Sequence, residues 1–205
     1  MLGGPGPGIA IAELLDAPDR VPRWSAQRAE LRETMVDRGW NDEVGAFTQY
    51  FGSATLDASV LLMVIVGFAP PDDLRLLATI EADLADERGL LYRYRGGDGI
   101  DAGEGSFLLC TFWLAHALAV TGQVHRSRDV LERAAGFASP LGLFSEQVDT
   151  ATGELVGNFP QAFSHLGLVT AAQALADAEH APPRRTDGPT PSLLSLPDPE
   201  DRSLT

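Results

Sequence analysis

Residues 105–137 read GSFLLCTFWLAHALAVTGQVHRSRDVLERAAGF, and they contain the two kinds of helical segment from which the chain is built. Nearly every position in 105–121 is apolar, which is typical of a helix buried on most sides. Residues 126–137 place Arg, Asp and Glu opposite Val, Leu and Ala at helical spacing, which indicates a helix with one exposed face. The link 122–125 is so short that the two helices are expected to pack side by side and antiparallel.

The same alternation occurs twice more along the chain. Further apolar segments span 55–67 and 161–178, and further amphipathic segments span 25–38 and 72–86. The links that follow apolar segments are short, whereas the connections that follow amphipathic segments are long, covering 39–54, 87–104 and 138–160. The three apolar helices are therefore expected to run parallel, with all three long connections at their N-terminal ends.

This pattern predicts an all-α fold, in which apolar inner helices are covered by amphipathic outer ones. It corresponds to a partial (α/α)6 toroid with about three inner/outer pairs, because a closed barrel of this type has six. Three pairs would leave an apolar flank open, so self-association or a partner chain is expected to cover it. The strongest strand signal, at 89–94, is too short to define a sheet. Residues 1–8 are expected to be irregular, 9–180 to form the helical domain, and 181–205 to be a disordered Pro-rich tail.

Composition narrows the class of function. The net charge of −14 argues against nucleic acid, whose phosphates need clustered Lys and Arg, and is compatible with a neutral ligand. Cys110 is the only cysteine, so a multi-cysteine zinc site is excluded; no metal or cofactor is expected. No apolar run is long enough for a membrane span. The first residues lack the basic region of a secretory signal, so a cytoplasmic protein is expected.

The long connections carry most of the unusual polar residues. Aromatic rings, carboxylates, amides and an arginine on converging loops are the groups that bind a sugar. Each has an ordinary explanation when taken alone, because loop carboxylates such as Glu146 are usually solvated surface charges. Asp57 and Glu104 would favour a helix dipole, and His165 would be a hydrogen-bonded core histidine.

Several motifs occur in an order and spacing that resemble the glucoamylase-like glycoside hydrolases of family 15, which also contain bacterial trehalases. The resemblance covers about residues 9–178 and corresponds to the C-terminal half of the catalytic domain. The motifs are Trp24 with Arg38-Gly39-Trp40-Asn41, Leu56-Asp57-Ala58-Ser59, Arg93-Tyr94, Glu104-Gly105-Ser106-Phe107-Leu108-Leu109-Cys110-Thr111-Phe112-Trp113-Leu114, and Phe144-Ser145-Glu146-Gln147 with Asn158-Phe159-Pro160-Gln161-Ala162-Phe163-Ser164-His165.

The resemblance implies hydrolysis of an α-glucosidic bond with inversion, by a general acid and a general base on opposite sides of the bond. Glu146 takes the place of the base, and Arg93 that of the residue that grips sugar hydroxyls. It also implies substrate-binding positions at Tyr94, Asp57, Glu104, Gln147, Gln161 and His165. Trehalose, maltose and longer α-glucans remain open as substrates.

One departure from the family is clear. The family's acid lies on a Trp-Glu motif upstream of the matched region, and no Trp-Glu pair occurs in this sequence. The expected result is a fragment with the base and without the acid, with little or no activity alone, or a remnant that binds sugar without turnover. The alternative is a helical-repeat interaction module, suggested by Ala115–Ala119, Gly122 and the helix from Arg126, although no period of about 34 residues recurs.

Overall fold

A computed structural model describes residues 7–68, 72, 73, 75, 76, 84–94 and 105–181. Helices account for most of these residues, as the all-α class predicts, and each strand is only two residues long. The elements in chain order are α1 Pro7–Leu14, α2 Arg20–Gly39, β1 Trp40–Asn41, β2 Ala46–Phe47, a 3-10 helix Ala58–Leu61, α3 Leu62–Ile65, β3 Ser106–Phe107, α4 Leu108–Val120, α5 Val124–Ala135, β4 Gln147–Val148, β5 Leu155–Val156 and α6 Ala162–His180.

Helix α4 lies at the centre of the main core. It packs against α3, α5 and α6, and nine of its thirteen residues are buried. Phe112 and Leu118 are fully buried there, and the ring of Phe112 meets that of Phe144 edge-on at 5.7 Å. The apolar segment 105–121 therefore forms a buried helix, as its composition predicts.

Helix α5 returns antiparallel along α4 and is amphipathic, as predicted. Its buried positions are Ser127, Val130 and Ala134. The Ser127 hydroxyl donates to the carbonyl of Ala115 at 2.7 Å, which satisfies a buried polar group across the two helices. The link turns at Gly122, whose φ of +83° suits glycine.

Helix α6 packs closely against α4 through one narrow face. Its buried residues are Ser164, Gly167, Ala171 and Leu175, spaced as one face of a helix. A methyl group at Gly167 would lie 3.0 Å from Leu109 Cδ1, so glycine permits the close approach. On the opposite side, the apolar side chains Phe163, Leu166 and Val169 are exposed.

The prediction for residues 105–107 is wrong in part, because they do not belong to the helix. Ser106–Phe107 forms β3, which pairs antiparallel with β4, and β4 pairs antiparallel with β5. The cause is long-range pairing, with Ser106 opposite Val148 and Phe107 opposite Gln147. Gly105 leads into this pairing so tightly that a Cβ there would lie 2.3 Å from the Val148 carbonyl oxygen.

Other predicted boundaries also shift. In place of one helix over 55–67, residues 58–61 form a 3-10 turn and 62–65 a short α-helix. Of the helix predicted over 72–86, residues 74 and 77–83 lie outside the described residues. Residues 84–86 are not helical, because Ala85 bridges Leu91 and the Asp86 carboxylate accepts the amides of Arg88 and Leu90. Residues 89–94 form only isolated bridges rather than a strand.

At the start of the chain, α1 begins at Pro7, inside the segment predicted to be irregular. A proline suits the first position of a helix because its missing N–H has no intrahelical partner there. The predicted tail lies outside the described residues from 182 onward, as does Glu104. None of the helices that the structure describes is long and apolar enough to cross a membrane.

Candidate active site

Backbone hydrogen bonds join the residues that begin the first two apolar segments to the second and third long connections. The amide of Ala58 donates to the carbonyl of Arg93 at 2.8 Å, and the amide of Phe107 donates to that of Leu91 at 2.8 Å. The amide of Leu108 then donates to the carbonyl of Glu146 at 3.1 Å. The segments that precede the three apolar helices are thus held side by side.

A pocket of about 260 Å³ lies where these segments meet. Its polar lining comes from residues 57–59, from the second and third connections and from the start of α6, and its apolar lining comes mainly from α4 and α6. The lining residues are Asp57, Ser59, Arg93, Phe107, Leu109, Cys110, Trp113, Glu146, Gln161, Phe163 and Ser164. Four of the residues predicted for the site, Asp57, Arg93, Glu146 and Gln161, therefore lie around one cavity.

Glu146 stands just before β4, with its side chain half-buried in the pocket wall. Its carboxylate oxygen Oε2 accepts two hydrogen bonds from Asn158, from the backbone N–H at 3.2 Å and from the side-chain Nδ2 at 2.9 Å. No donor among the residues that the structure describes is hydrogen-bonded to the other oxygen, Oε1. The chain thus presents one acceptor atom that a ligand in the pocket can use.

The loop after Glu146 is stiffened at its tip. The Asp149 carboxylate accepts hydrogen bonds from the backbone and hydroxyl of Thr152 and from the amide of Ala151. These bonds, those of Thr152 above all, lower the pKa of Asp149. Arg88 donates to the carbonyls of Thr150 and Ala151, which ties the tip to the second connection.

Asp57 is nearly buried and fixed on both carboxylate oxygens. Oδ1 accepts the amide of Ser59 at 2.7 Å, and Oδ2 accepts the side-chain amide of Gln49 at 3.2 Å. The residue precedes the 3-10 helix as its N-cap rather than standing in a first helical turn, because its backbone is extended. Both oxygens are therefore already used as acceptors within the protein.

Arg93 and Tyr94 form a pair at the second connection. The Arg93 guanidinium lies 5.7 Å from the centre of the Tyr94 ring, within the range of a cation–π contact. Tyr94 bridges Asp57 through its backbone. Arg93 lines the pocket, whereas Tyr94 is not part of the lining.

Of the remaining predicted residues, one lines the pocket and two hold the segments that line it. Gln161 lines the pocket and caps α6, since its side chain accepts the amide of Phe163. Gln147 accepts the amide of Gly105 at 3.0 Å and is not in the lining. His165 is also outside the lining: Nδ1 lies 2.7 Å from the Gln161 carbonyl, and Nε2 accepts the amide of Phe144. Both residues hold the segments that carry Glu146 and Gln161.

Cys110 forms part of the pocket wall but is not suited to act as a nucleophile. Burial, with a smaller contribution from the negative charge of Asp57, raises the pKa of its thiol to about 12. A nucleophilic cysteine needs a low pKa and access to solvent. In the ranges described, no three His, Cys, Asp or Glu side chains are grouped closely enough to hold a metal ion.

Some residues that line the pocket or hold its lining were not predicted as site residues. Trp113 and Phe163 supply aromatic surface to the pocket, and Asn158 holds Glu146. The two aromatic residues lie in apolar helices, where the sequence indicates only packing. The signal for Asn158 was its place in the motif that precedes α6, although the motif alone does not show which side chain it contacts.

Comparison with known proteins agrees with this geometry. The model for glycosyl hydrolases family 15 matches residues 7–173. The chain is 41% identical over 177 residues to a trehalase of Mycolicibacterium smegmatis and 37% identical over 173 residues to a trehalase of Thermoplasma volcanium. These matches cover 84% and 83% of the chain but only 26% and 28% of the trehalases, so the chain spans little more than a quarter of their length.

The fold is also found in solved structures. A wild-type glycosidase superimposes with a TM-score of 0.68 at 22% identity, covering 83% of this chain and 50% of the other. A glycosidase variant in complex with glucose superimposes with a TM-score of 0.67 at 22% identity, covering 82% and 49%. Since the family model extends over most of the sequence, the chain belongs to glycosyl hydrolases family 15.

Proposed function

We propose that this chain provides the general-base side of a site that cleaves α-glucosidic bonds with inversion, and that trehalose is its substrate. The observation that carries the proposal is Glu146, whose carboxylate lines a pocket together with Arg93, Gln161 and Asp57. The trehalases to which the chain is similar support the substrate.

In this reaction a water molecule attacks the anomeric carbon from the side opposite the leaving oxygen. As the new C–O bond forms, Glu146 takes a proton from the water, and the bond to the leaving oxygen breaks. An acid on the other side must give a proton to that oxygen, and the two carboxyl groups must lie about 6.5–9.5 Å apart to leave room for the water. Arg93 and Gln161 would bind hydroxyls of the sugar.

The acid is proposed to come from outside the 205 residues of this sequence, which contain no Trp-Glu pair. Asp57 shares the pocket, but both of its oxygens already accept hydrogen bonds from the protein. A general acid or base typically contributes ~10²–10⁴-fold to the rate, so the chain alone is expected to hydrolyse trehalose poorly.

A substrate that needs no acid tests the proposal on the chain as it is. In α-D-glucosyl fluoride the leaving group departs as fluoride and needs little protonation, so a correctly placed base is sufficient. Glu146→Gln should reduce fluoride release by roughly 100-fold or more, because the amide cannot accept the proton. Glu154→Gln is the matched control, since Glu154 is exposed on the same hairpin and outside the pocket.

Two results would count against the proposal. An unchanged rate in Glu146→Gln would remove Glu146 from the reaction, and absence of any turnover by the wild type would remove the base function from this chain. Proton NMR of the first product gives the stereochemistry. β-Glucose is expected from inversion, and α-glucose formed first would contradict it.

The exposed face of α6 supports a second role, in protein interaction. Phe163, Leu166 and Val169 are 63%, 58% and 64% exposed, and this set is called the apolar face below. Residues 162–176 contain no Asp, Glu, Lys or Arg, so a second copy can approach this face despite the net charge of −14. Self-association through it would also cover the Phe163 side of the pocket.

Sedimentation velocity over a range of concentrations tests this association. Leu166→Asp should shift the protein toward the monomer, because a buried unpaired charge opposes pairing. Leu141→Asp is the control, since Leu141 is exposed on a separate loop. A wild-type protein that remains monomeric at high concentration would rule out self-association through this face.

A further inference from the structure

The carboxylate of Glu146 is held unevenly. Both hydrogen bonds from Asn158 go to the same oxygen, Oε2. On that side the backbone is also close, because a methyl group on Gly157 would lie 3.0 Å from Oε2 and 3.0 Å from Glu146 Cβ. One oxygen is therefore enclosed by Gly157 and Asn158, and the other is not engaged by the residues that the structure describes.

A bulge-like offset directly after β5 produces this arrangement. The register of β4 with β5 pairs Val148 with Leu155 and Gln147 with Val156, yet the amide of Glu146 donates to the carbonyl of Asn158 at 2.9 Å. One step along the first strand thus corresponds to two steps along the second, and Gly157 is the extra residue. Its φ of +75° is the left-handed conformation that such a bulge uses.

Bulges redirect side chains, and this one directs Asn158 at Glu146. Without the extra residue, the alternation of side chains along the second strand would change by one position from Gly157 onward. The backbone bond from Glu146 to Asn158 and the two bonds back from Asn158 tie the two residues together in both directions. The side chain of Glu146 therefore has little freedom to rotate.

We infer that Asn158 is a positioning residue for Glu146, and that Oε1 is the oxygen that accepts the proton from the attacking water. The second part of this inference depends on the proposed function, whereas the first concerns the hydrogen bonds alone. Asn158 fixes Oε2, so Oε1 takes the proton as the water O–H bond breaks. The water oxygen bonds to the anomeric carbon at the same time, and the bond from that carbon to the leaving group breaks. The Asn158 side chain is not among those that line the pocket, so its effect reaches the sugar through Glu146.

Kinetics with α-D-glucosyl fluoride separate positioning from sugar binding. Asn158→Asp keeps the shape and replaces the donor by an acceptor, and Asn158→Ala removes the donor. Both should lower kcat by roughly 10- to 100-fold, since a small misplacement of a reacting group has effects of this size, and leave KM within about threefold. A raised KM at unchanged kcat would overturn the inference, because it would make Asn158 a sugar-binding residue.

The split between kcat and KM is a readout that a purely structural role would not give, because general loss of structure would impair sugar binding as well. Glu154→Gln should leave both kcat and KM unchanged. Circular dichroism melts of all variants show whether the fold is kept, and Asn158→Ala serves if Asn158→Asp does not fold.

A second measurement does not require turnover. In ¹⁵N-labelled protein, the backbone and side-chain amide resonances of Asn158 should shift with pH at one shared midpoint, and Glu146→Gln should abolish the shift. Resonances that do not respond to pH in the wild type would overturn the positioning role. A shared shift without any fluoride release would support the hydrogen bonds and contradict the proposed function. Failure of the positioning role can therefore be told apart from failure of the proposed function.

Discussion

Helices α4 and α6 are both apolar nearly all round in sequence, yet they differ in how much of their surface is buried. Nine of thirteen residues are buried in α4, against four of nineteen in α6. The difference lies in their neighbours, because α4 has α3, α5 and α6 around it, whereas α6 packs against α4 and α5. Apolar composition therefore predicts that a helix is buried. How much of it is buried depends on the number of elements that pack against it.

The sharpest test of this difference uses two phenylalanines. Phe112 on α4 is 0% exposed and Phe163 on α6 is 63% exposed. Phe112→Ala should lower the free energy of unfolding by about 3–5 kcal/mol, because it leaves a cavity in the core. Phe163→Ala should change it by about 1 kcal/mol or less. Urea unfolding measures both, and equal losses would show that α6 is as buried as α4.

The thiol of Cys110 tests the environment of α4 through pH. Burial raises its pKa from 9.0 to about 12, so the folded state favours the neutral thiol. The unfolded chain loses this proton first, so stability should fall as pH rises above about 9, by about 1.4 kcal/mol per unit until pH approaches 12. The difference in unfolding free energy between wild type and Cys110→Ala should change by about 1.4 kcal/mol in total between pH 8 and pH 10.

A pH slope that is the same in wild type and Cys110→Ala would place Cys110 in a solvated site. The comparison of the two proteins is needed because other groups titrate in this range. Their contributions are shared and cancel in the difference.

Gly167 tests the contact between the two helices. Alanine in place of a helical glycine normally stabilises by about 0.5–1 kcal/mol. Here the added methyl group would lie 3.0 Å from Leu109 Cδ1 and 3.1 Å from Phe112 Cβ, and overpacking costs about 1–3 kcal/mol. Gly167→Ala should therefore destabilise by about 1 kcal/mol in thermal or urea unfolding. A stabilised variant would mean that α4 and α6 are further apart than described.

The smallest effect is expected on the apolar face of α6. Val169 is 64% exposed, so Val169→Thr should change the unfolding free energy by about 0.5 kcal/mol or less at low protein concentration. Val64 on α3 is 3% exposed, and Val64→Thr should cost about 1–3 kcal/mol for an unsatisfied buried hydroxyl. A large loss in Val169→Thr would indicate that a partner already covers this face.

Sequence periodicity predicted the helices that depend on local pattern. The segment 161–178 became α6 and 126–137 became α5, with boundaries shifted by two residues or fewer. The strand at Ser106–Phe107 could not be predicted in the same way, because it forms through pairing with residues about 40 positions away. The apolar run before α4 looks the same whether its first residues are helical or extended.

The residues of the site also differ in how far the sequence predicts their positions. Asp57 and Gln161 precede apolar helices directly, and Arg93 and Glu146 lie on the connections between them, so topology alone brought them together. The role of Asn158 depends on one extra residue, Gly157, directly after β5. Spacing along the chain does not reveal such a bulge.

The backbone bonds between the connections have a consequence for how the site opens. The amides of Ala58 and Phe107 donate to carbonyls of the second connection, at Arg93 and Leu91. The amides of Leu108 and Glu146 donate to carbonyls of the third connection, at Glu146 and Asn158. Breaking one of these bonds loosens the segment that supports the next, so the four protons are expected to exchange with deuterated solvent in a single cooperative event. The mouth of the pocket would then open and close as one unit, rather than loop by loop.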